Sequence, residues 1–433
     1  KRAILNLRTS GVSAASAKHE RVILPRTLDV VFDVLELLRA MPAGHDLDLL
    51  ICDFADAFWQ FPAAPAERPF LVFRYRHKYY LVLRAAQGSR GGPLLCGRSV
   101  ALAMRLALST CPPEASRSST YVDDPIIAVT GDKNGRKRHI VCIIAALLVM
   151  GYSLAFAKAE LAHVGTTLTW TSSQLTVDKL GITVAVKAEI VADVKLLAEG
   201  MTKVNVVPKK DLRSFVGKAT CISSLIRTWR PFVAMLWAPL FCERASAGAP
   251  ANCVWRSCLD TALKWILAFM AGKANTLQRR YLLSDYLATG TDTEVTVDAS
   301  PWGLGGVLAE EGRVVEYFSD RISDIDVDIL GHARGDAAGQ QTWEALAMLV
   351  ALRLWSSRWA KKRIFLRVRG DSISALSMVL NMSSGGEGSS IIAREMALDV
   401  ADALYVPNVA VHLPGTANCT ADLLSILDQK GGP

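Results

Sequence analysis

Short apolar runs alternate with helical patterns through the first third of the chain. Strands are short runs of β-branched, aromatic and aliphatic residues bounded by turn residues, whereas helices show apolar positions at a spacing of three and four. These patterns predict strands at residues 48–54, 70–75, 79–84, 119–122 and 125–129, and helices packed on the sheet at 94–108 and 139–150. The mixture predicts an α+β domain that extends to about residue 165.

Two further regions follow. Residues 166–290 are predicted to be helix-rich, with amphipathic helices at 191–201 and 212–227 and breaks at Pro231 and Pro239. Residues 291–433 predict a mixed α/β domain, and the polar run S-S-G-G-E-G-S-S at 383–390 predicts a flexible loop. The stretch between Asp320 and Gln341 is predicted to be a surface insertion. The α/β domain has predicted strands at 294–297, 304–308, 313–318, 364–368 and 409–412, a long helix after the third strand, a helix from Ser372 and a short terminal helix.

Composition narrows the class of protein. The chain has 433 residues, a net charge of +8 and 51% hydrophobic residues, which fits several packed domains and favours a polyanionic partner. The longest clean apolar run, residues 140–150, is too short to span a membrane. The start has no signal-peptide pattern and no initiator Met, so we expect an intracellular fragment of a longer protein, cytoplasmic or nuclear. Nine cysteines without C-x-x-C spacing predict reduced thiols.

Two local clusters leave two interpretations each. A basic run without acids predicts either a solvated face or a phosphate contact. A group of tryptophans predicts either a helical core or a platform on which bases stack. The basic run comprises Arg358, Lys361, Lys362, Arg363, Arg367 and Arg369, and the tryptophans are Trp229, Trp237, Trp255 and Trp265.

Two adjacent acids, Asp123 and Asp124, lie between two strand-like stretches, so Y-V-D-D predicts a tight hairpin with both carboxylates at its turn. Magnesium prefers hard oxygen ligands, usually one or two carboxylates plus substrate phosphates, and such a turn suits nucleotide chemistry. A solvated Asp-Asp turn is the other interpretation. Asp53 ends an apolar strand, from which it would reach the hairpin acids to help hold two metal ions. The glycine-rich loop at 87–93 opens a helix and suits close contact with a nucleotide.

Four motifs occur in an order that resembles motifs A to D of reverse transcriptases from retroviruses and from long-terminal-repeat or DIRS-like retrotransposons. They are D-F-A-D-A-F-W-Q-F-P from Asp53, Q-G-S-R-G-G-P from Gln87, Y-V-D-D from Tyr121 and G-Y-S-L-A-F-A-K from Gly151. The opening R-A-I-L-N-L-R resembles the basic strand of the fingers, with Asn6 where an Asp is usual. D-L-R-S-F-V-G-K, followed by R-P-F, resembles the thumb side of DIRS-like elements. The resemblance implies a right-hand polymerase, with truncated fingers and palm in residues 1–165 and a helical thumb or connection in 166–290.

The resemblance also implies roles for single residues. Asp53, Asp123 and Asp124 would bind two metal ions, with help from the main chain of Phe54.

The same resemblance assigns nucleotide contacts. Arg2 would touch the triphosphate, Gln87 and Gly88 would contact the nucleotide, and Phe58 would lie under the sugar and select deoxynucleotides. Lys158 would be the general acid for the pyrophosphate leaving group. Phe58 as simple core and Lys158 as a surface lysine remain the alternatives.

Four more acids occupy separate elements of the C-terminal domain: Asp298, Glu344, Asp371 and Asp422. Carboxylates gathered in one place repel each other unless cations neutralise them. Their order resembles RNase H, and V-D-A-S-P-W-G-L-G-G-V-L, W-E-A-L-A and H-L-P-G-T-A-N-C-T-A-D-L-L-S resemble the retrotransposon versions. Ile426 stands where that pattern usually has Arg. The resemblance implies that all four acids are catalytic metal ligands.

His412 is a strand-end histidine that matches the mobile catalytic histidine of RNase H, or else belongs to the core.

The resemblance implies an RNA-directed DNA polymerase of a retrotransposon polyprotein, with endonuclease activity on the RNA strand of RNA–DNA hybrids. It implies Mg²⁺, or Mn²⁺, as two ions in each active site. The implied partners are an RNA template, a DNA primer, the hybrid, deoxynucleoside triphosphates and other polyprotein segments, with no membrane. The alternatives are a catalytically impaired or domesticated nucleic-acid-binding protein and a hydrolase that only cleaves hybrids.

Overall fold

The computed structural model describes residues 5–7, 9–16, 20, 22–85, 87–273, 277–359, 364–402 and 407–427. The chain forms two compact units. The first unit comprises residues 1–184 with 280–283, and the second comprises 185–279 with 284–433. The mixture of helix and sheet predicted from the sequence is confirmed, whereas the division into three domains stays a prediction.

Seventeen strands occur in the described part of the chain. They are β1 (Asp46–Ile51), β2 (Val72–Tyr75), β3 (Lys78–Leu81), β4 (Ser116–Tyr121), β5 (Asp124–Gly131), β6 (Glu160–Ala162), β7 (Thr167–Trp170), β8 (Ser173–Asp178), β9 (Gly181–Val186), β10 (Val206–Pro208), β11 (Cys253–Trp255), β12 (Gln278–Leu282), β13 (Thr291–Ala299), β14 (Gly303–Glu310), β15 (Arg313–Arg321), β16 (Ile364–Gly370) and β17 (Val409–His412).

The same ranges contain sixteen α-helices. They are α1 (Val12–Ala15), α2 (Thr27–Ala40), α3 (Ala57–Gln60), α4 (Gly92–Leu108), α5 (Lys133–Val149), α6 (Ala188–Thr202), α7 (Lys209–Leu225), α8 (Arg230–Phe241), α9 (Asp260–Met270), α10 (Leu283–Tyr286), α11 (Asp324–Leu330), α12 (Gln340–Leu354), α13 (Ser356–Trp359), α14 (Ile373–Asn381), α15 (Glu387–Ala401) and α16 (Cys419–Ser425).

The first unit is organised around a four-stranded sheet with the order β4-β5-β1-β6. Strand β5 is buried along almost its whole length, and α4 and α5 both contribute side chains to the core beneath it. Burial of this apolar surface is the main force that holds the sheet against its helices. The core includes Leu50, Phe54, Cys96, Val100, Met104, Ile127, Val129, Ile143 and Leu147.

A second sheet in this unit has the order β12-β9-β8-β7. Strand β8 alternates between buried and half-buried positions, as expected where one face of a strand packs on a core. At Gly181, a Cβ atom would lie 2.0 Å from the carbonyl oxygen of Tyr281, so the close approach of the two strands requires glycine there. Strands β2 and β3 form a separate two-stranded hairpin.

The second unit is built on a five-stranded sheet with the order β15-β14-β13-β16-β17. The first three strands are antiparallel, whereas β13 pairs with β16 and β16 with β17 in parallel. Helix α16 packs directly on β14. Added Cβ atoms at Gly303 and Gly305 would lie 2.7 and 2.4 Å from the carbonyl oxygens of Ser425 and Ala421, so these glycines make room for the helix backbone.

The helices α6 to α9 form the other part of this unit. Trp229 is fully buried, and its ring lies 5.9 Å from that of Phe269. Trp265 packs at 5.8 Å from Phe232. Of the two interpretations of the tryptophan cluster, these two residues therefore fit the core, whereas Trp237 is 37% exposed.

Several predicted boundaries are wrong. Residues 167–186 form three strands, so the region is helical only from Ala188 onward. Pro239 lies inside α8, which continues to Phe241. The predicted loop at 383–390 is helical from Glu387, where α15 begins. The insertion between Asp320 and Gln341 contains α11, whose first turn is capped by Ser323 and Asp326.

Among the described residues, no helix is both long enough and apolar enough to cross a bilayer.

Candidate active sites

The Y-V-D-D segment forms a tight hairpin, as the sequence predicts, but only Asp123 lies at the turn, because Asp124 is the first residue of β5. Tyr121 pairs with Asp124, which leaves Val122 and Asp123 as the two-residue turn between β4 and β5. Val122 has a φ of 59°, a left-handed conformation that is strained for a β-branched residue. Strained backbone persists only where the surrounding structure imposes it, and it is concentrated at functional sites.

Asp53 lies next to this turn. Ile51 pairs with Ile126 and the nitrogen of Cys52 donates to the carbonyl oxygen of Pro125, so the antiparallel register carries Asp53 toward Asp124. The ammonium of Lys158 forms an ion pair with Oδ2 of Asp53. The structure therefore brings together Asp53, Asp124 and Lys158, which are separated by up to 105 positions in the sequence.

The electrostatics of the hairpin follow from this grouping. The pKa of Asp124 is raised to about 6, mainly by burial and also by the negative charges of Asp53, Asp123 and Glu160, against the positive charge of Lys158. Burial also raises the pKa of Cys52 to about 12, with added repulsion from Asp124 and Asp53. This end of the sheet therefore carries excess negative charge that a cation would relieve.

Two side chains that sequence reasoning missed hold this region in place. The amide of Gln60 donates to the carbonyl oxygens of Ala55 and Ser153 at 2.6 and 2.9 Å, and its oxygen accepts from the nitrogen of Ser153 at 3.0 Å. The indole nitrogen of Trp170 donates to the carbonyl oxygen of Asp124 at 3.1 Å. Gln60 thus joins the segments that carry Asp53 and Lys158, and Trp170 supports the hairpin from a different strand.

The structure describes some of the residues that were predicted to contact the nucleotide, but not all of them. Arg2 lies outside the described residues. The nitrogen of Leu5 donates to the carbonyl oxygen of Gln87 at 2.9 Å, and Gly88 has a φ of 102°, which favours glycine. Phe58 is half-buried and packs against the core of the unit, and Phe54 is buried and pairs with Leu154. The predicted roles of these residues stay predictions.

The second unit contains a tighter acidic cluster. Asp298 lies near the end of β13, Glu344 in the second turn of α12 and Asp371 directly after β16. One carboxylate oxygen from each lies within 4.8 Å of the others. Among the residues that the structure describes, this group of three acids has carboxylate oxygens that all lie within 4.8 Å of one another. The carboxylate oxygens of Asp53, Asp123 and Asp124 do not meet this criterion and are farther apart.

Neighbouring side chains fix two of these carboxylates. The amide of Asn418 donates to Oδ1 of Asp298 at 3.1 Å, and the hydroxyl of Ser425 donates to Oδ2 at 3.3 Å. The amide of Gln340 donates to Oε1 of Glu344 at 2.9 Å. The three donors limit the rotation of the carboxylates, which is the usual way in which proteins orient metal-binding acids.

Burial and mutual repulsion act strongly on this cluster. Asp298 and Glu344 are each only 5% exposed. Burial raises the pKa of Asp298 to about 7, with repulsion from Asp371 and Asp422, and raises that of Glu344 to about 8, with repulsion from Asp298 and Asp371. Buried acids crowded in this way are costly unless protons or cations neutralise them.

Asp422 and His412 lie at the edge of the cluster. Asp422 is exposed on α16, and its charge contributes to the raised pKa of Asp298. His412 is exposed at the end of β17, where it pairs in register with Gly370, the residue before Asp371. The structure therefore places His412 at an exposed strand end opposite the residue before Asp371, and not in the core.

The described members of the basic run pair with acids. Arg358 contacts Glu316, Arg367 lies 3.4 Å from Asp292, and Arg369 lies 3.0 Å from Glu294. Lys361, Lys362 and Arg363 lie outside the described residues. Ion pairing with neighbouring strands thus fits the solvated-face interpretation of these three arginines better than a phosphate contact.

No family model matches the chain, and no curated protein matches it. Solved structures resemble it weakly. A foamy viral protease–reverse transcriptase in complex with double-stranded DNA is 16% identical over 95% of this chain, with a TM-score of 0.49, and this chain covers 62% of it, less than two thirds of its length. RNase H1 from the halophilic archaeon Halobacterium salinarum NRC-1 is 17% identical over 33% of this chain and 98% of its own, with a TM-score of 0.25. Neither likeness assigns the chain to a family.

The residues that support the cluster of Asp298, Glu344 and Asp371 were also missed by sequence reasoning. Asn418 is 2% exposed, and its Oδ1 has no hydrogen-bond partner, which is unusual for a buried oxygen. The one hint in the sequence was its place at the start of the segment that carries Asp422.

Proposed function

We propose that this chain is an RNA-directed DNA polymerase of a retrotransposon, coupled to a nuclease that hydrolyses the RNA strand of RNA–DNA hybrids. The observation that carries the proposal is the cluster of Asp298, Glu344 and Asp371, three carboxylates from separate elements within 4.8 Å. Evidence for the polymerase half is the strained Asp123-Asp124 hairpin beside Asp53 and Lys158.

The nuclease cluster fits divalent metal ions by the chemistry of its donors. Carboxylate oxygens are hard ligands of the kind that Mg²⁺ prefers, and the unpartnered Oδ1 of Asn418 adds a neutral oxygen nearby. Asp298, Glu344, Asp371 and Asp422 would hold the ions. Two bound metal ions would supply an activated water and stabilise the leaving oxygen in phosphoryl transfer.

The chain's own residues then have defined tasks at this site. Hydrogen bonds from Asn418 and Ser425 fix the carboxylate of Asp298, and a hydrogen bond from Gln340 fixes that of Glu344. The carboxylates would therefore be oriented toward the metal site before substrate binds. His412, exposed at a strand end that pairs with the residue before Asp371, would take up or deliver a proton as the RNA strand is cut.

At the polymerase site, Asp53, Asp123 and Asp124 would hold the metal ions of nucleotidyl transfer, with the main chain of Phe54. The ammonium of Lys158 forms an ion pair with Asp53 and so offsets part of the negative charge there. It would also protonate the leaving pyrophosphate. Gln60 donates to the carbonyl oxygens of Ala55, just after Asp53, and of Ser153, just before Lys158. It therefore joins the two segments that carry Asp53 and Lys158.

The test is to measure two activities of the intact chain with Mg²⁺: extension of a DNA primer on an RNA template, and cleavage of a labelled RNA–DNA hybrid. The proposal expects both, and expects EDTA to abolish both. Cleavage without extension would favour a hydrolase that only cleaves hybrids. Binding of the hybrid without either activity would favour a domesticated nucleic-acid-binding protein.

A further inference from the structure

The hairpin of β2 and β3 forms a basic surface of the first unit with exposed aromatic rings. No acid occurs between Arg68 and Pro113, a stretch with eight Lys and Arg residues. Within the hairpin, Tyr75 is 55% exposed and Tyr80 is 41% exposed. Exposed apolar and aromatic side chains grouped in one patch mark interaction sites, whereas single exposed ones are normal.

The strand register assigns these side chains to two faces. Phe73 pairs with Tyr80, and Tyr75 pairs with Lys78, so these four residues share one face. The rings of Phe73 and Tyr80 stack at 5.2 Å. The guanidinium of Arg76 lies 5.3 Å from the ring centre of Tyr75. This face, which we call the ring face, therefore combines flat rings with cations.

The turn keeps the cations at the tip. Arg76 and His77 have φ angles of 49° and 64°, the left-handed pair of a tight two-residue turn in which Asn and Gly are usual. Two bulky residues in this conformation strain the turn. Among the described residues, neither Arg76 nor Lys78 forms an ion pair with an acid, and no acid occurs in the surrounding stretch, so their charges are available to an external anion. Arg74 pairs with Tyr79 and lies on the opposite face.

We propose that the ring face of the β2–β3 hairpin binds single-stranded nucleic acid, with unpaired bases stacked on Tyr75 and Tyr80 and phosphates held by Arg76 and Lys78. Exposed rings beside unpaired cations are complementary to unstacked bases joined by phosphates. A duplex is a poorer fit, because its bases already stack on each other. A strand of four residues spans about 13 Å, room for about two or three nucleotides.

This surface extends the proposed function, since it names a single strand as the partner, but it requires neither set of catalytic acids. We would therefore measure binding of the intact chain in EDTA by fluorescence anisotropy, with twelve-nucleotide rU and dT strands and a duplex of equal length. The two single strands should bind with similar affinity, because rings stack on either kind of base, and both should bind more tightly than the duplex. Loss of catalysis elsewhere would leave this result unchanged.

The variants separate stacking from charge. Tyr75→Ala should weaken binding of both single strands about tenfold, whereas Tyr75→Phe, which keeps the ring, should stay within about twofold. Tyr317→Ala, which removes a tyrosine that is 69% exposed on β15, is the matched control and should have no effect. Replacing Arg76 and Lys78 together with Gln should reduce the slope of log affinity against log salt by about 1.4.

Cross-linking locates the contact. A strand that carries 4-thiouridine should cross-link within residues 72–81, and Tyr75→Ala should lose that cross-link. Unchanged affinity in Tyr75→Ala, or cross-links confined to other residues, would overturn the proposal. So would a hairpin that mediates self-association, shown by a dimer that Tyr75→Ala dissociates without any change in oligonucleotide binding.

Discussion

The side-chain amide of Asn418 lies 3.1 Å from Oδ1 of Asp298 and 3.1 Å from the carbonyl oxygen of Val297. One buried amide thus ties the strand that ends near Asp298 to the start of α16, which carries Asp422. The hydrogen bond also lowers the pKa of Asp298 against the opposing effect of burial. Asn418 therefore controls both the position and the charge of a proposed metal ligand.

Replacing Asn418 with Ala should raise the pKa of Asp298, because a donor that stabilises the carboxylate is lost. The acidic limb of hybrid cleavage against pH should move upward by about one unit, since a hydrogen bond to a charged group contributes roughly 1.5–3 kcal/mol. The measurement is kcat/KM between pH 5.5 and 9. Asn205→Ala, at an exposed position of the same unit, is the control. An equal loss of rate at every pH would contradict this role.

Asp298 also sets a pH dependence of stability. Its pKa of about 7 in the folded chain lies above its ordinary value of 3.8, so the folded state binds the proton more tightly than the unfolded state. The stability that this proton confers is complete below about pH 4 and is lost progressively as pH rises from about 4 to about 7. In EDTA, Asp298→Asn should therefore raise the melting temperature above that of the wild type by more at pH 8 than at pH 5.

Thermal unfolding at the two pH values checks this expectation. Asp328→Asn, at an exposed position on α11, removes one negative charge without removing a buried one and should change the melting temperature little at either pH. A variant Asp298→Asn that is less stable than the wild type at pH 8 would show that the carboxylate is not under electrostatic strain.

Gly305 should tolerate no side chain. A Cβ atom there would lie 2.4 Å from the carbonyl oxygen of Ala421 and 2.6 Å from the nitrogen of Ser425, so α16 would have to move away from β14. Gly305→Ala should destabilise the second unit by about 2 kcal/mol or more and reduce hybrid cleavage, because α16 carries Asp422. Urea unfolding and a cleavage assay measure the two effects.

The matched control is Gly200→Ala, inside α6 of the same unit, where an added Cβ would meet nothing within 4 Å. Alanine favours a helix over glycine by about 1 kcal/mol, so this variant should be neutral or slightly more stable. Equal behaviour of the two variants would show that α16 does not depend on close packing at Gly305.

Trp170 should matter to DNA synthesis alone. It is 1% exposed, donates to the carbonyl oxygen of Asp124 and packs edge-on against Tyr121 at 6.4 Å. Trp170→Phe keeps an aromatic ring but removes the hydrogen bond, which contributes about 1 kcal/mol, so primer extension should fall about fivefold. Hybrid cleavage should be unaffected, and Trp237→Phe, at a half-exposed tryptophan of the second unit, should change neither activity. A parallel fall in both activities would indicate general misfolding.

Local patterns predicted most strands and helices, but not where they end. The helix predicted from residue 139 begins at Lys133, because Asp132 caps it by accepting a hydrogen bond from the nitrogen of Gly135 at 2.6 Å. The polar residues that follow are compatible with solvent-facing turns, so hydrophobic periodicity gave no signal for them. Helix α15 was missed because it begins within a run rich in Gly and Ser.

The acids of both sites were identifiable because they end strands or begin helices in a recognisable order. Their support was not, since it depends on contacts between distant positions: Gln60 with Ser153, and Trp170 with Asp124. A glutamine or tryptophan in a sequence carries no sign of the carbonyl oxygen that it will meet. The closeness of Asp298, Glu344 and Asp371 likewise depends on strand order, which local patterns do not specify.

The central claim is that the chain carries two separate acidic sites with two separate activities. Primer extension on RNA and cleavage of an RNA–DNA hybrid should be measured side by side for Asp123→Asn and Asp371→Asn, with folding checked by circular dichroism. The account predicts that Asp123→Asn abolishes DNA synthesis and spares RNA cleavage, and that Asp371→Asn does the reverse. Loss of both activities in either folded variant would contradict it.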